Sequence, residues 1–581
     1  MPQQSSSRYS ISGFRRALAS IDSVPQFALL GICSGIVTGL VILVFRGLME
    51  IPLEYLLDEG SEAFESLPVT SRFALPLMGG VLLALLFSLI PTVTRRVGVI
   101  HVLERLGRHQ GHMPWQNAVT QFIGGIIALG TGQSGGREGP AIHLGAACSS
   151  LLGQSLQLPN NSIRILVGCG AAAAISASFN TPIAGVIFSM EVILMEYTIA
   201  GFIPVILAAV IATLINPSVY GSSLFSTSLG NTINNFYNLP FLIVEGVVIG
   251  TLAATFVYLV KKIHQFAPES HWVRMLIAGL ATALIALASP QILGIGYDTV
   301  LLAHSGELTI YVLLLACVLK IIATAITIGL GVPVGVIGPA LFIGATAGGV
   351  LGYIGALIAP DLAAPAGYYV ILGMGAMMGA VLQAPLAALM AVMELTQNPG
   401  IILPAMLVII VANMTSGQVF HMKSVFLMQM EMIGLEFRQN PLSMALNRSA
   451  VASIMSRSFE RVSAKISRPE AMKIIEASPD WLLVNDSDPA DNENGPVFIL
   501  RTLDLTAFLA GAQREQIDLN EIPATRKDVA PILLQATLQE ALDVLNDTGL
   551  QALYVNRISS PMFDSVVGIV TREDIESYYQ G

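Results

Sequence analysis

Residues 27–45 and 74–90 run apolar for close to the length that crosses a bilayer, and comparable runs, including 199–215 and 276–288, recur as far as about residue 412. A hydrocarbon core is spanned by roughly 20 apolar residues in a helix. It holds no water to satisfy stray backbone groups, so segments of this length and composition cross it only as helices. Composition agrees: 54% of the chain is hydrophobic and 12% charged, against about 25% charged in soluble domains. The first two thirds therefore read as an all-α polytopic membrane protein.

The formal net charge of −10 excludes a nucleic-acid binder, which needs clustered Lys and Arg to neutralise phosphates. Cys33, Cys148, Cys169 and Cys317 are scattered singly, so neither a disulfide framework nor a metal site is readable from their spacing. Small residues resembling a cleavage site precede the first apolar run instead of following it, which argues against a cleaved signal peptide. Arg8, Arg15 and Arg16 favour a cytoplasmic N-terminus, and a soluble tail on the same side requires an even number of crossings. The expected location is the plasma membrane, with both termini cytoplasmic.

From residue 436 the apolar density falls. Beyond residue 453 short strands alternate with amphipathic helices in two similar units. Thr537 and Glu540 have capping-box spacing before a helix that Gly549 can end, and strands are expected at 551–555 and 566–570. Residues 497–500, leading into Arg501-Thr502-Leu503-Asp504, repeat that order in the first unit. The expected division is a cytoplasmic segment 1–25, a transmembrane domain 26–433, a linker 434–450 and small α/β units at 451–510 and 526–581.

The membrane part carries its own repeat. Gly136-Arg137-Glu138-Gly139-Pro140, followed by Gly145 and Gly153, matches Gly335-Val336-Ile337-Gly338-Pro339, followed by Gly344 and Gly352. Asn180-Thr181-Pro182 running to Glu191 matches Gln383-Ala384-Pro385 running to Glu394 at the same spacing. Paired Gly/Pro-interrupted segments in two halves mark a binding site near the midplane of a transporter fold.

Glycine permits close backbone approach, and Pro140, Pro182 and Pro339 suit first turns, where the missing N–H has no partner to lose. Free N–H groups and the positive dipole end at such helix starts attract anions. The plainer alternative is that each Gly-Pro pair only starts a tightly packed helix; pairing across a repeat weighs against it. Glu138 is a carboxylate inside a membrane segment, costly unless partnered, and so a functional candidate. Its bland reading is an ion pair with Arg137.

With these residues in place, residues 26–430 resemble the CLC family of chloride channels and chloride/proton exchangers. Gly136 to Pro140 is similar to the family's gating motif, in which the glutamate, here Glu138, competes with the anion. Gly335 to Pro339 is similar to its Gly-x-Phe-x-Pro motif, which implies that amides at Val336 and Ile337 face the anion, with Arg137 and Gly139 beside it. The resemblance implies a duplicated, inverted-repeat helical fold, a homodimer in lipid with one pore per subunit, chloride or similar small anions as cargo, and no required cofactor.

Three departures modify this expectation. Val97, in Arg96-Val97-Gly98-Val99-Ile100, replaces the serine that contacts the central anion. Phe426, in Lys423-Ser424-Val425-Phe426, replaces a tyrosine. A lost hydrogen bond to a charged partner is worth about 1.5–3 kcal/mol, so affinity and the choice among anions, fluoride included, are altered. Val192 stands where exchangers carry an inner, proton-relaying glutamate. The expectation drawn from it is a proton-uncoupled channel gated by Glu138, with a chloride/proton antiporter as the alternative. Glu191 and Glu394 are expected to brace helix ends.

The tail resembles a pair of CBS domains, with Thr571 and Asp574 where nucleotide-binding members contact adenosine ribose. An adenine nucleotide is thus a candidate ligand, although Thr-x-x-Asp before a helix is also a capping box. Two other classes fit less well. Gly132-Gln133-Ser134-Gly135 matches an intramembrane serine protease tetrapeptide, but its candidate base, His143, follows close behind in sequence, whereas a nucleophile's base usually comes from another element. A magnesium transporter with such a tail would need several oxygen ligands, whereas these motifs offer N–H groups. His101, His109 and His112 are expected in loops or interfaces.

Overall fold

The computed structural model describes Phe14, Leu18 and residues 23–57, 62–215, 239–360, 364–435, 441–485, 496–511, 514–557 and 565–580. Arg8, Arg15 and Arg16 of the N-terminal segment, and residues 436–440 of the expected linker, lie outside the described residues. The chain divides into two units, one of residues 27–155 and 163–437, the other of 1–26, 156–162 and 438–581.

The larger unit is helical. Its first half runs through α1 (Val24–Leu56), α2 (Val69–Leu89), α3 (Gly98–Arg108), α4 (Trp115–Gly130), α5 (Glu138–Ser155), α6 (Asn160–Phe179), α7 (Pro182–Phe188) and α8 (Ile199–Ile215). The second half comprises α9 (Leu239–Gln265), α10 (His271–Ala286), α11 (Tyr297–Ser305), α12 (Ile310–Leu330), α13 (Ile337–Ile358), α14 (Ala366–Leu382), α15 (Pro385–Thr396), α16 (Ile402–Met414) and α17 (Val425–Met432). Seven helices among the described residues are long and apolar enough to cross a membrane. Others, α5 and α7 among them, are shorter or interrupted, which is how helix ends come to lie inside the unit.

The sequence repeat is a structural one. The Gly136 amide donates to the Gly335 carbonyl at 2.8 Å, and the Gly335 amide returns the bond to the Gly136 carbonyl at 2.6 Å. Reciprocal antiparallel bonds between equivalent residues relate the two segments by a local two-fold axis. The same symmetry governs the helix crossings. A Cβ on Gly145 of α5 would fall 2.3 Å from the Gly170 carbonyl oxygen of α6, and one on Gly344 of α13 would fall 2.2 Å from that of Gly373 on α14. It governs the caps as well. Glu394 accepts bonds from the Ile183 and Ala184 amides at 2.9 and 2.8 Å, while Glu191 accepts from the Leu386 and Ala387 amides at 3.4 and 2.8 Å. Each half thus supplies the carboxylate that satisfies the open N-terminus of the other half's helix, α7 or α15.

The smaller unit has helices α18 (Pro441–Asn447), α19 (Arg468–Ala477), α20 (Thr502–Gly511), α21 (Leu538–Thr548) and α22 (Arg572–Gln580). Its strands are β1 (Phe459–Ser463), β2 (Lys465–Ser467), β3 (Trp481–Asn485), β4 (Pro496–Arg501), β5 (Gln516–Asp518), β6 (Lys527–Leu533), β7 (Ala552–Arg557) and β8 (Ser565–Thr571). Six form one sheet in the order β1-β3-β4-β6-β7-β8, and β2 pairs with β5. The β1-β3-β4 and β6-β7-β8 halves repeat a parallel then an antiparallel pairing, consistent with a CBS pair. The capping box forms as the sequence predicts: the Thr537 amide donates to Glu540 at 2.7 Å, the Glu540 amide donates to the Thr537 hydroxyl at 3.3 Å, and Gly549 ends the helix at φ +71°. Thr571 and Asp574 are closed on one another, the Thr571 hydroxyl and amide both donating to Asp574 Oδ2 at 2.7 and 2.8 Å.

The repeat contact leaves no room for a side chain. A Cβ on Gly335 would lie 2.4 Å from the Gly139 amide nitrogen, a backbone atom that cannot swing aside, whereas one on Gly130 meets nothing within 4 Å. Gly335→Ala is expected to cost about 1–3 kcal/mol or more by overpacking. Gly130→Ala is expected to be neutral or slightly stabilising. Thermal denaturation of the two variants in detergent checks the contrast.

Candidate functional site

Helices α3, α5, α13 and α17 begin at Gly98, Glu138, Ile337 and Val425, and one cleft of about 80 Å³ is lined from all four starts. Val97 and Gly98 contribute from α3, Gly139 from α5, Val336 and Ile337 at α13, and Phe426 from α17. The first four N–H groups of a helix lack intrahelical partners, so convergent starts offer donors and partial positive charge without a full cation. Five of the residues expected to contact an anion, Val97, Gly139, Val336, Ile337 and Phe426, are gathered here.

Each start has a local cause. Val97 is extended, and Gly98 follows at φ +79°, where a glycine meets no steric penalty. Its amide is bound at 2.7 Å by Gln121 Oε1, whose Nε2 donates to the Pro333 carbonyl at 3.1 Å, so one side chain of α4 ties the α3 start to the approach to α13. Ser424 caps α17 by accepting from the Leu427 amide at 3.2 Å. Gly335 lines the cleft as well, while Gly136, Pro140, Gly338 and Pro339 shape the starts without lining it.

Glu138, fully buried at the first position of α5, reaches across to the opposite half. Its Oε2 accepts from the Gly338 amide of α13 at 3.1 Å, and its Oε1 from the Tyr297 hydroxyl at 2.9 Å. The carboxylate thereby holds one of the amide donors that a free anion would seek. The ion pair with Arg137 does not form. Arg137 turns instead to Glu50 of α1, with Nη1 to Oε1 at 2.5 Å, and to the Ser178 carbonyl at 3.1 Å. Arg46 shares Glu50 at 3.1 Å. Arg137, expected beside the anion, directs its charge to Glu50, and its side chain does not line the cleft.

Several residues at the site carried no motif. Tyr297 is aimed by its amide, which donates to Glu62 at 2.9 Å, and its ring lies 5.7 Å from the Arg137 guanidinium. The preceding loop is gripped by Lys320, a buried ammonium donating to the Ile292, Gly294 and Ile295 carbonyls at 3.0, 2.8 and 3.1 Å. Only the cost of a buried cation could have singled Lys320 out. Gln429, three residues beyond Phe426 on α17, brings an amide side chain to the cleft where Val97 and Phe426 bring none.

Val192 is buried in the irregular turn Ser189–Ile193. Beside Ile337 a second cavity, about 20 Å³, is lined by Ile175, Phe179, Phe188, Leu341 and Met378, with Thr181. The Ser134 hydroxyl is 3.0 Å from that of Thr324, while His143 bonds to His101, so no protease pair exists. His101, expected in a loop or interface, is instead buried on α3.

The sequence pattern described as voltage gated chloride channel matches residues 78–417. A ClcB-like protein of Ralstonia nicotianae, named for a chloride channel, is 29% identical over 370 residues, covering 62% of this chain and 86% of that one. The H(+)/Cl(-) exchange transporter ClcA of Vibrio cholerae is 29% identical over 318 residues, 52% of this chain and 68% of that one. A slow cyanobacterial Cl-/H+ antiporter shares the fold at a TM-score of 0.63, with 23% identity over 70% of this chain and 97% of the other. A eukaryotic CLC transporter shares it at 0.55, with 18% identity over 97% of this chain and 98% of the other. Four helix starts around one cleft, a carboxylate at the first of the paired motifs and a family match across both halves agree: this chain belongs to the voltage-gated chloride channel family, the CLC proteins, and is a multi-pass membrane protein of anion transport.

Proposed function

We propose that this protein exchanges chloride for protons, with Glu138 as the group that alternately takes the anion's place and carries the proton. The observation that carries the reading is the pair of bonds holding the Glu138 carboxylate across the two halves, at the Gly338 amide and the Tyr297 hydroxyl. A tethered carboxylate is itself an anion at a site built for anions. Protonation removes its charge and its claim on the amide, so releasing the site and loading a proton become one event.

The uncoupled channel expected from Val192 finds less support. Among the relatives, the Vibrio protein is named an H(+)/Cl(-) exchange transporter, and exchange suits the geometry of Glu138. A channel remains the second reading, favoured by the apolar lining of the cavity beside Ile337. The cleft's ligands are then the Val336 and Ile337 amides, Gly139 and Gln429. We read the assembly as a homodimer in the plasma membrane with cytoplasmic termini; exposed Ile183, Leu386, Leu403 and Met406 on the exchanged-cap helices and α16 support an apolar partner surface. An adenine nucleotide at Thr571 and Asp574 would have to replace the bonds these residues make to each other.

Three measurements bear on this. Purified protein in liposomes under a chloride gradient should drive protons uphill; chloride flux with no coupled proton movement would favour the channel. Glu138→Gln removes the titratable charge, so chloride flux should persist and lose its dependence on pH, and a folded variant with the wild-type profile would leave Glu138 a structural residue. Gln429→Leu removes the one side-chain amide at the cleft, and anion binding by calorimetry should weaken by about 1.5–3 kcal/mol, the worth of a hydrogen bond to a charged partner.

A further inference from the structure

Two imidazoles meet inside the larger unit, one helical turn from the cleft. His101 of α3 is 4% exposed and His143 of α5 is wholly buried. His101 Nδ1 lies 2.8 Å from His143 Nε2, with ring centroids 5.1 Å apart and planes at 29°. His143 Nδ1, also buried, has no hydrogen-bond partner. Val97 to Ile100, immediately ahead of His101, line the cleft, and so does Gly139, four residues ahead of His143. One turn of helix rises about 5.4 Å, so the pair stands just behind the donors that an anion would face.

Two neutral imidazoles joined this way share one N–H between two nitrogens, and the ring that donates keeps a bare nitrogen on its outer side. One further proton can bind there with the inner bond intact, and that bond then becomes charge-assisted. A charge so buried needs a counter-charge. Among the described residues no carboxylate bonds to either ring. On or beside α3 stand Arg96, Glu104, Arg105 and His109, with Glu104 bridged to Arg96; Glu138 heads α5 but is bound to Gly338 and Tyr297; α17 carries Glu431, an exposed partner of Lys423. An anion in the cleft is the counter-charge that remains.

We propose that the His101–His143 pair is a proton-binding site coupled to the anion cleft, taking up one proton when an anion is bound and serving as a proton donor to Glu138, which heads the helix that carries His143. Its transport role rests on the exchange reading above. It supplies a titratable group that the chain lacks at Val192.

The binding claim is testable without any variant. Wild-type protein with ¹⁵N-labelled histidine, reconstituted in lipid, is followed by solid-state NMR from neutral pH down to about pH 5, a window in which an ordinary imidazole gains its proton, once with chloride and once with gluconate. The expected result is an imidazolium signal that grows with acid, is stronger in chloride, and disappears in His101→Gln/His143→Gln, or in His143→Gln alone where the double variant does not fold. Rings that stay neutral throughout in both salts would overturn the proposal. For the transport role the readout is the proton-to-chloride ratio in liposomes, expected to fall about tenfold in the variant, the loss that accompanies removal of a proton-transfer group; a ratio equal to wild type would overturn that role. A wild-type protein that moves no protons would refute exchange, while the NMR titration would still decide the pair.

Discussion

Everything at the cleft depends on two backbone hydrogen bonds, those exchanged between Gly136 and Gly335. They place the starts of α5 and α13 against each other with no side chain between, since a Cβ on either Gly139 or Gly335 would strike the other's backbone. Two helix N-termini forced this close repel through their dipoles. Something negative must sit between them, and Glu138, bonded to the Gly338 amide, is that group in this conformation. The anion site and its occupant are thus two consequences of one packing arrangement.

The charged residues around it divide by whether their charge is free to move. Arg137 is held by Glu50 and the Ser178 carbonyl, and Lys320 by three carbonyls. Both are frame, one fixing the loop before α5, the other the loop that presents Tyr297. Breaking a buried pair by removing one member leaves an uncompensated charge, typically at 3–5 kcal/mol. Glu138, in contrast, is bound only by an amide and a hydroxyl, neither of which carries charge, so releasing it strands no ion.

The fold was legible because its repeat lies in small residues at fixed spacing. Gly136 with Gly335, Gly145 with Gly344 and Glu191 with Glu394 occupy matching places in the sequence, and they meet or match in space. The cleft residues were legible for the same reason, as neighbours of those glycines. Tyr297, Gln121, Lys320 and Gln429 were not, because they act from the tertiary arrangement of helices far apart in sequence and belong to no local pattern. Glu50 as the partner of Arg137 was not legible either: adjacency offers Glu138 as the bland alternative, while a helix start sends consecutive side chains in different directions. In the smaller unit, capping residues act locally, and there the Thr537–Glu540 expectation holds in full.

The exchanged caps of α7 and α15 also impose an order in time. The amides of Ile183 and Ala184 are satisfied by a carboxylate 211 and 210 residues further along the chain. At about 5–20 residues per second of synthesis, that partner emerges roughly 10–40 s after the helix it completes. During that interval the first half stands with an open helix end. The nascent first half is therefore incomplete until the second is made, and the second half is its closing piece as much as its duplicate.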